Sequence, residues 1–133
     1  MSNLRNYKDL HVCEKAHKLT LSVYRATRAF PIDERFGLTS QIRRSASSIP
    51  ANLAEGCGRR SDGEMSRFVL IALGSGAELS YHLLLSHDFG FLESENFARL
   101  ASDLDEVMKM LSALSVRLKS ASRSAILELK AKS

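Results

Sequence analysis

Histidine, cysteine and serine are the residue types in this chain that could support catalysis or metal binding. His82 and His87 are five positions apart, so they do not share a helical face as ligands at i and i+4 would, and they are typical of surface or boundary histidines. Cys13 and Cys57 form no Cys-x-x-Cys pair and have no histidine at zinc-finger spacing. No spacing selects a serine, a histidine and an acid as a triad, which is defined by geometry. We therefore predict a protein that is not an enzyme, holds no metal or cofactor, and keeps both cysteines as thiols in a reducing compartment.

A glycine- and arginine-rich segment, Gly56-Cys57-Gly58-Arg59-Arg60-Ser61, superficially resembles a phosphate-binding loop. It follows a predicted helix rather than a strand and lacks the Gly-Lys-Ser/Thr ending, so it does not indicate a nucleotide site. Arg59 and Arg60 nevertheless precede the predicted start of another helix, where free amides favour phosphate oxygens. The segment fits an anion contact, and it also fits a helix cap with solvated arginines.

Other basic residues lie on predicted helices. Lys15, Lys18 and Arg25 lie on the side of the first helix that is opposite its apolar stripe. Arg43 borders the apolar stripe of the second helix and Arg44 faces away, so one can bridge to a neighbouring helix while the other meets a ligand. The alternative is a solvated or salt-bridged pair.

The basic stretches contain no aromatic platforms, which argues against recognition of single strands by base stacking. We expect any nucleic-acid binding to involve the phosphate backbone and to be sensitive to salt. The candidate nucleic-acid contacts are Lys15, Lys18, Arg25, Arg43, Arg44, Arg59 and Arg60.

Composition and length limit what can position these side chains. The 133 residues are 44% hydrophobic and 26% charged, which suffices for one compact core but not for two ordinary domains. The formal net charge of +4 conceals a basic segment 1–60 (11 basic and 5 acidic residues), an acidic segment 61–108 (2 and 9) and a basic segment 109–133 (6 and 1). The uncharged run Phe68 to Ala77 is shorter than the ~20 residues of a membrane span. We expect a cytoplasmic protein without a membrane partner.

Apolar residues recur at spacings of three and four almost throughout, so an all-α fold is predicted. The first helix is predicted from Asp9 to Arg28. The second contains the apolar series from Leu38 to Cys57 and carries Pro50 in its interior, which predicts a kink near residues 46 to 50. The alternative is two separate helices. Gly56 and Gly58 are expected to end the second helix in a left-handed conformation.

The third helix is predicted to begin at a capping box formed by Ser61 and Glu64 and to run to about His87. The fourth helix carries the apolar series from Phe97 to Leu118. Four helices with short connections predict an antiparallel up-down bundle over residues 1–118, followed by a basic, flexible tail at 119–133.

Several further residues have predicted structural roles. Gly74 and Gly76 are costly in the middle of a helix, so we expect a close backbone crossing there. Glu78 lies in apolar surroundings and is expected to pair with an arginine of the second helix. Asn52 and Glu55 are expected to hold the end of the second helix through side-chain to backbone bonds.

A family resemblance is carried by the run FGLTSQIRRSASSIPANLAEGCGR, residues 36–59. This run closely resembles the four-helix bundle proteins encoded in intervening sequences of bacterial large-subunit ribosomal RNA genes. The resemblance covers roughly residues 7 to 117. Cys13 departs from it, because members of the family commonly carry a tryptophan there. The supporting matches outside the run are Tyr7-Lys8-Asp9-Leu10, Tyr24, Phe30-Pro31, Glu64, Phe68, Ala72-Leu73-Gly74-Ser75 and Glu78-Leu79.

The resemblance implies an antiparallel four-helix bundle that assembles as a ring-like homopentamer. It also implies similarity to the accessory protein of diversity-generating retroelements, which binds nucleic acid and its reverse transcriptase. The apolar residues of the third helix fit such an assembly, because one helical face cannot hold them all. The expected face between protomers consists of Leu70, Leu73, Tyr81 and Leu84.

Three functional hypotheses follow. The first is an oligomer that binds RNA or DNA through its basic patches. The second is a protein–protein adaptor, for example an accessory subunit of a reverse transcriptase or another polymerase. The third is an enzyme, which would require a cleft gathering histidine and acidic side chains that the sequence scatters.

Overall fold

The computed structural model describes residues 10–132, which form four α-helices and no strand. The predicted all-α fold class is therefore confirmed for this part of the chain. Asp9, the predicted start of the first helix, lies outside the described residues. The helices are α1 (His11–Ala26), α2 (Leu38–Cys57), α3 (Asp62–Asp88) and α4 (Ser94–Lys132), with short 3-10 turns at Thr27–Ala29 and Ile32–Glu34.

Each helix packs against its neighbours in the chain, and α1 also packs against α4. Along α3 and α4 the facing pairs run in opposite directions. Gly76 faces the Met108 side chain, whereas Gly63, earlier in α3, faces Ser122, later in α4. His87 stacks on Phe97 where the two helices are joined. These pairs make α3 and α4 antiparallel. The contacts Thr20–Ala46 and Arg43–Thr27 do the same for α1 and α2, and Ser45–His82 and Ser48–Ser75 for α2 and α3, so the four helices form an antiparallel bundle.

The core lies along the axis of this bundle, where each helix contributes its apolar stripe. Side chains recur there at helical spacing because residues three and four apart share a face. Burying each of the larger ones contributes about 1.5–3 kcal/mol. The most deeply buried include Leu19, Val23, Ile42, Ile49, Leu53, Leu79, Leu83, Leu100 and Leu111.

Helix α2 runs without interruption through Pro50, so the alternative of two separate helices is wrong. Pro50 has no amide hydrogen, and the Ala46 carbonyl therefore has no donor within the helix. Thr20 of α1 donates a hydrogen bond to that carbonyl at 3.2 Å. One turn further along, Asn52 donates to the Ser48 carbonyl at 2.8 Å, so it stabilises the middle of α2 rather than its end.

The helix ends follow one prediction and contradict another. The Glu64 amide donates to the Ser61 hydroxyl at 3.1 Å, and Ser61 donates to the Glu64 carboxylate at 3.3 Å, which confirms the capping box. Gly58 has a φ of −79°, so the expected left-handed end of α2 is wrong. Among the described residues a positive φ occurs only at Gly90, which follows α3 with a φ of 80°.

Glycine in α2 and α3 instead permits close packing of neighbouring helices. A Cβ atom on Gly56 would lie 2.6 Å from the Met65 sulfur, and one on Gly76 would overlap the Met108 sulfur. A close approach is therefore present at Gly76, but the group that meets it is the Met108 side chain and not a neighbouring backbone as predicted. A Cβ on Gly74 would meet nothing within 4 Å, so the same prediction for Gly74 is wrong.

Glu55 and Glu78 differ from their predicted roles. Glu55 forms an ion pair with Arg59 at 3.0 Å, a contact between side chains rather than with the helix backbone. Glu78 is exposed, and no ion pair joins it to any residue between 10 and 132. The predicted pairing of Glu78 with an arginine of α2 is wrong, because Glu78 faces solvent.

Helix α4 continues well past the last buried residue, Leu118. Residues 119–132, predicted as a flexible tail, are helical, and all of them are exposed except the half-buried Ser122. We call this segment the α4 extension. It places a basic helical surface beside the start of α3.

Helix α3 is long and apolar enough to cross a membrane by length and composition, with a mean hydropathy of 1.5 in its most apolar stretch. The helix is one element of the bundle, and its apolar residues serve two faces. Val69, Leu79 and Leu83 are buried in the core, whereas Leu70 and Leu84 are exposed. Because the core helix of a soluble bundle gives the same hydropathy, this property is weak evidence for a membrane span.

Candidate nucleic-acid interface

Two of the predicted contacts, Lys15 and Lys18, already have acidic partners in α1 and α4. Lys15 forms an ion pair with Glu106 at 2.6 Å, and Lys18 pairs with Glu14 at 3.1 Å. The hydrogen bond to Glu106 raises the pKa of Lys15, and the hydrogen bond from Lys18 lowers the pKa of Glu14. These lysines thus add little net positive charge to the surface.

Arg43 connects α1 to α2. Its Nε donates to the Thr27 hydroxyl at 2.8 Å and its Nη2 donates to the Tyr24 carbonyl at 3.3 Å. The guanidinium also lies 4.7 Å from the centre of the Tyr24 ring, within the range of a cation–π interaction. The predicted bridging role of Arg43 is confirmed, and its donors are largely used inside the protein.

Arg59 is likewise engaged within the protein. Besides its ion pair with Glu55, its guanidinium lies 4.8 Å from the centre of the Phe68 ring. Phe68 is buried at the start of α3, so Arg59 covers the edge of the core. Its neighbour Arg60 is exposed.

Three of the seven predicted contacts, Arg25, Arg44 and Arg60, are exposed and form no ion pair with any residue that the structure describes. They lie on α1, on α2 and in the α2–α3 connection. The predicted set thus divides into three cations available to an external anion and four that already have partners.

Arg44 borders a polar cleft of about 330 Å³ between α2 and α3. Gln41, Ser48 and Glu78 also line this cleft. Ser48 and Ser75 join the two helices through a hydrogen bond of 2.8 Å between their hydroxyl groups. The cleft therefore presents one arginine and one carboxylate, without an excess of positive charge.

Ser45, which also lines this cleft, contacts the buried His82 of α3. The Ser45 Oγ lies 3.4 Å from the His82 Nδ1, and Ser45 donates its own proton to the Ile42 carbonyl at 3.1 Å. His82 is only 6% exposed, so the expectation of a surface or boundary histidine is wrong for it. Among the described residues, no carboxylate bonds to this ring. The pair joins α2 to α3 as a polar contact within the core.

Other groups capable of chemistry are dispersed. His87 stacks on Phe97 and its Nε2 lies 3.1 Å from the Ser94 hydroxyl. Cys13 and Cys57 are both buried, and burial, reinforced by the nearby Cys57, raises the pKa of the Cys13 thiol to about 12. Residues 10–132 contain no cluster of three or more metal-binding side chains.

The predicted face between protomers is partly accessible. Leu70, Tyr81 and Leu84 are about half exposed, whereas Leu73 is half-buried and packs against the core. Tyr81 and Leu84 border an apolar groove of about 620 Å³ between α3 and α4, together with Phe97 of α4. This exposed apolar surface runs along one side of α3.

The comparisons with known proteins agree with this architecture. The family model of the 23S rRNA-intervening sequence protein matches residues 8–113. The chain belongs to this family. A solved protein of unknown function from the S23 ribosomal protein family of Bacteroides thetaiotaomicron has a similar fold, with a TM-score of 0.73 and 24% sequence identity. That alignment covers 78% of this chain and 94% of the other. No curated protein matches this chain.

The α4 extension lies beyond the part of the chain that matches the family model. It contains the basic residues Lys119, Arg123 and Lys130, which the sequence prediction assigned to a tail and left out of the candidate interface. Their signal in the sequence was the basic excess of residues 109–133. Only the course of α4 shows that this charge lies beside the start of α3.

Proposed function

We propose that this family member is a non-enzymatic, oligomeric helical bundle of the cytoplasm that associates with the phosphate backbone of RNA or DNA through its basic surfaces. The main support for this proposal is the observation that some of the basic residues form ion pairs within the protein and others do not. Arg25, Arg44 and Arg60 are exposed and lack acidic partners among residues 10–132. A cation without an internal partner can neutralise a phosphate and release a counterion without first breaking a salt bridge.

The proposal also includes a ring-like homopentamer, in which the exposed apolar side of α3 packs against a neighbouring protomer. Leu70, Tyr81 and Leu84 support it, because their burial would remove large apolar side chains from water. A formal charge of +4 per chain becomes 5 × 4 = +20 in a pentamer. Weak contacts by single arginines then act together on one polymer. A bend of α2 at Pro50 is part of the same proposal.

The decisive experiment measures the affinity for a 20-nucleotide RNA and a 20-base-pair DNA between 50 and 200 mM salt. The triple variant R25Q/R44Q/R60Q should bind more weakly, and the slope of log affinity against log salt should become shallower by about 2 to 3. The control K15Q/K18Q removes two cations that are already paired, so it should change the slope by less than about 1. Failure of the wild-type protein to bind either polymer at 50 mM salt would overturn the proposal.

Oligomerisation is tested separately by light scattering at micromolar concentration. The substitutions Tyr81→Glu and Leu84→Glu place charges on the exposed apolar side of α3 and should convert the assembly into monomers. Ser102→Glu, on an exposed position of α4, is the control. A wild-type mass of 14.7 kDa would refute the assembly.

A protein–protein adaptor is the second candidate, since the acidic segment 61–108 contributes many exposed carboxylates. Asp88, Glu93 and Glu95 lie exposed together at the α3–α4 connection, at the opposite end of α3 from Arg59 and Arg60. A polymerase or reverse transcriptase with a basic surface would fit this end of the bundle. Co-purification of one such protein that persists after nuclease treatment would favour the adaptor over direct nucleic-acid binding.

A further inference from the structure

A groove of about 430 Å³ lies between the first turns of α3 and the α4 extension. The two helices approach closely at its edge, where a Cβ atom on Gly63 would lie 3.5 Å from the Ser122 hydroxyl. Ser66 lines the same groove from the α3 side. None of the candidate contacts selected from the sequence lines it.

The wall formed by α4 is basic. Lys119, Arg123 and Lys130 recur at spacings of four and seven, so all three lie on the helical face that borders the groove. None of them forms an ion pair with another residue of the described part of the chain. Glu128, the acidic residue of the extension, lies roughly 170° around the helix from the centre of this face. No carboxylate is among the residues that line the groove.

The wall formed by α3 presents hydrogen-bond donors. Gly63 lies in the first turn of α3, where backbone amides have no acceptor within the helix and carry partial positive charge. Ser66 is only 8% exposed, and its hydroxyl has no hydrogen-bond partner within residues 10–132. The hydroxyl is not enclosed by protein, since the fully buried side-chain atom without a partner in this part of the chain is the Thr39 Oγ1 and Ser66 lines the groove. Its position on the groove wall makes it available to a bound anion.

We propose that this groove binds the phosphodiester backbone of nucleic acid, an inference that rests on the proposed function and assigns it a specific site. Lys119, Arg123 and Lys130 neutralise successive phosphates, while the Ser66 hydroxyl and the Gly63 amide donate to phosphate oxygens. The apolar side chains of Ile126 and Leu127 lie on the same face and contact the sugars. Lys119 and Lys130 are about 16 Å apart along the helix axis, which matches the length of about five stacked nucleotides.

The charge of the groove, rather than its apolar area, indicates that its ligand is a nucleic acid. The face that α4 turns to the groove carries three cations and two large apolar side chains, and the other wall supplies a helix start and a hydroxyl. An acidic surface of a second copy of this chain is negatively charged, as the phosphate backbone is. A second copy is therefore the occupant that competes with nucleic acid. It predicts a change in the assembly mass, whereas nucleic acid predicts a change in affinity.

The test compares two variants that each remove three positive charges. The groove variant is K119Q/R123Q/K130Q. The control is R28Q/R117Q/K132Q, which removes exposed cations that do not line the groove. Affinity is measured by fluorescence anisotropy with the same 20-nucleotide RNA and 20-base-pair DNA between 50 and 200 mM salt, and the mass of each variant is measured by light scattering.

The groove variant should lose about tenfold in affinity at 100 mM salt and should show a slope shallower by about 2 to 3, while the control loses less than about threefold. Ser66→Ala should weaken binding by about twofold to fivefold without changing the slope, because a hydroxyl releases no counterion. Loss with the RNA alone, or with the DNA alone, identifies which polymer the groove accepts.

Equal losses in the groove variant and the control would overturn the groove assignment and leave the proposed function intact. Absence of binding by the wild-type protein would overturn both. A groove variant with wild-type affinity and a reduced assembly mass would also overturn the assignment, because the groove would then hold a second copy. All three lysine and arginine side chains are exposed, so their removal leaves the core unchanged.

Discussion

The Thr20 hydroxyl lies 3.2 Å from the Ala46 carbonyl, the acceptor that Pro50 deprives of its helical donor. The Thr20 hydroxyl also donates to the Ala16 carbonyl at 2.8 Å, so the two carbonyls share one proton. A single side chain of α1 thus stabilises its own helix and the interrupted turn of α2. The carbonyl would otherwise lack a protein donor in a partly buried position. Thr20 thus connects α1 to the point where α2 lacks a backbone hydrogen bond.

Thr20→Val should lower the free energy of unfolding by about 1 to 3 kcal/mol, because the substitution keeps the shape of the side chain and removes the donor. Urea denaturation measures the effect. Thr20→Ser, which retains the hydroxyl, is the matched control and should cost less.

The same hydrogen bond can be isolated by a double-mutant cycle with Pro50→Ala. An alanine at position 50 restores the amide that bonds to Ala46, so the cost of Thr20→Val should fall by at least about 0.5 kcal/mol in that background. Strictly additive effects would show that Thr20 does not compensate for the proline.

Arg43 should affect stability more than nucleic-acid binding. Arg43→Lys keeps the charge but loses the two directed hydrogen bonds to Thr27 and Tyr24, so we expect a loss of about 1 kcal/mol in the free energy of unfolding. The slope of affinity against salt should stay unchanged. An altered slope would show instead that Arg43 contacts phosphate directly.

Gly74 and Gly76 should respond in opposite ways to alanine. Gly74→Ala meets no atom within 4 Å and should stabilise α3 by about 0.5–1 kcal/mol through helix propensity. Gly76→Ala forces the Met108 side chain to move and should be less stable than Gly74→Ala by about 1–3 kcal/mol. Thermal unfolding at one protein concentration compares them. Equal stabilities would mean that Met108 adjusts without cost.

Cys13 should make stability depend on pH above neutrality. Its thiol has an ordinary pKa of 9.0 in the unfolded chain, and burial raises the pKa to about 12 in the folded protein. The folded state therefore keeps a proton that the unfolded state releases, and this contribution is complete below pH 9 and is lost as the pH rises toward 12.

Replacing Cys13 isolates that contribution. Between pH 9 and pH 11 the free energy of unfolding of the wild-type protein should fall more steeply than that of Cys13→Ala, and below pH 8 the two curves should run parallel. Identical slopes across the whole range would show that the Cys13 thiol ionises as readily in the folded protein as in the unfolded chain.

Much of the helical architecture was predictable because it rests on local rules. The spacing of residues such as Ile42, Ile49 and Leu53 follows the helical period, and the capping box at Ser61 and Glu64 depends on residues three positions apart. The bridging role of Arg43 was also predictable, since its place beside the apolar stripe of α2 directs it toward a neighbouring helix.

The remaining assignments depended on neighbours that are distant in sequence. The expected left-handed end at Gly58 is wrong, since Gly58 has a φ of −79°. The glycine that the packing requires is Gly56, where a Cβ atom would lie 2.6 Å from the sulfur of Met65. Glu78 was expected to pair with an arginine of α2 because its flanking residues are apolar, yet its own position lies on the outward face of α3. His82 lies on the side of α3 that faces α2, so it is buried although histidine is a polar residue.

The sequence by itself determined the four amphipathic helices, the uneven distribution of charge and the family of this protein, because each is a property of residue type and short spacing. Only the tertiary structure decided which cations are available to an external anion. Lys15 meets Glu106 of α4 across the bundle, whereas Lys119, Arg123 and Lys130 meet no carboxylate in the described chain. The pairs Lys18–Glu14 and Arg59–Glu55 follow instead from local spacing, since each joins residues four positions apart. The physical reason is that the surface charge available for binding depends on the distance to the nearest opposite charge, and helix packing determines that distance.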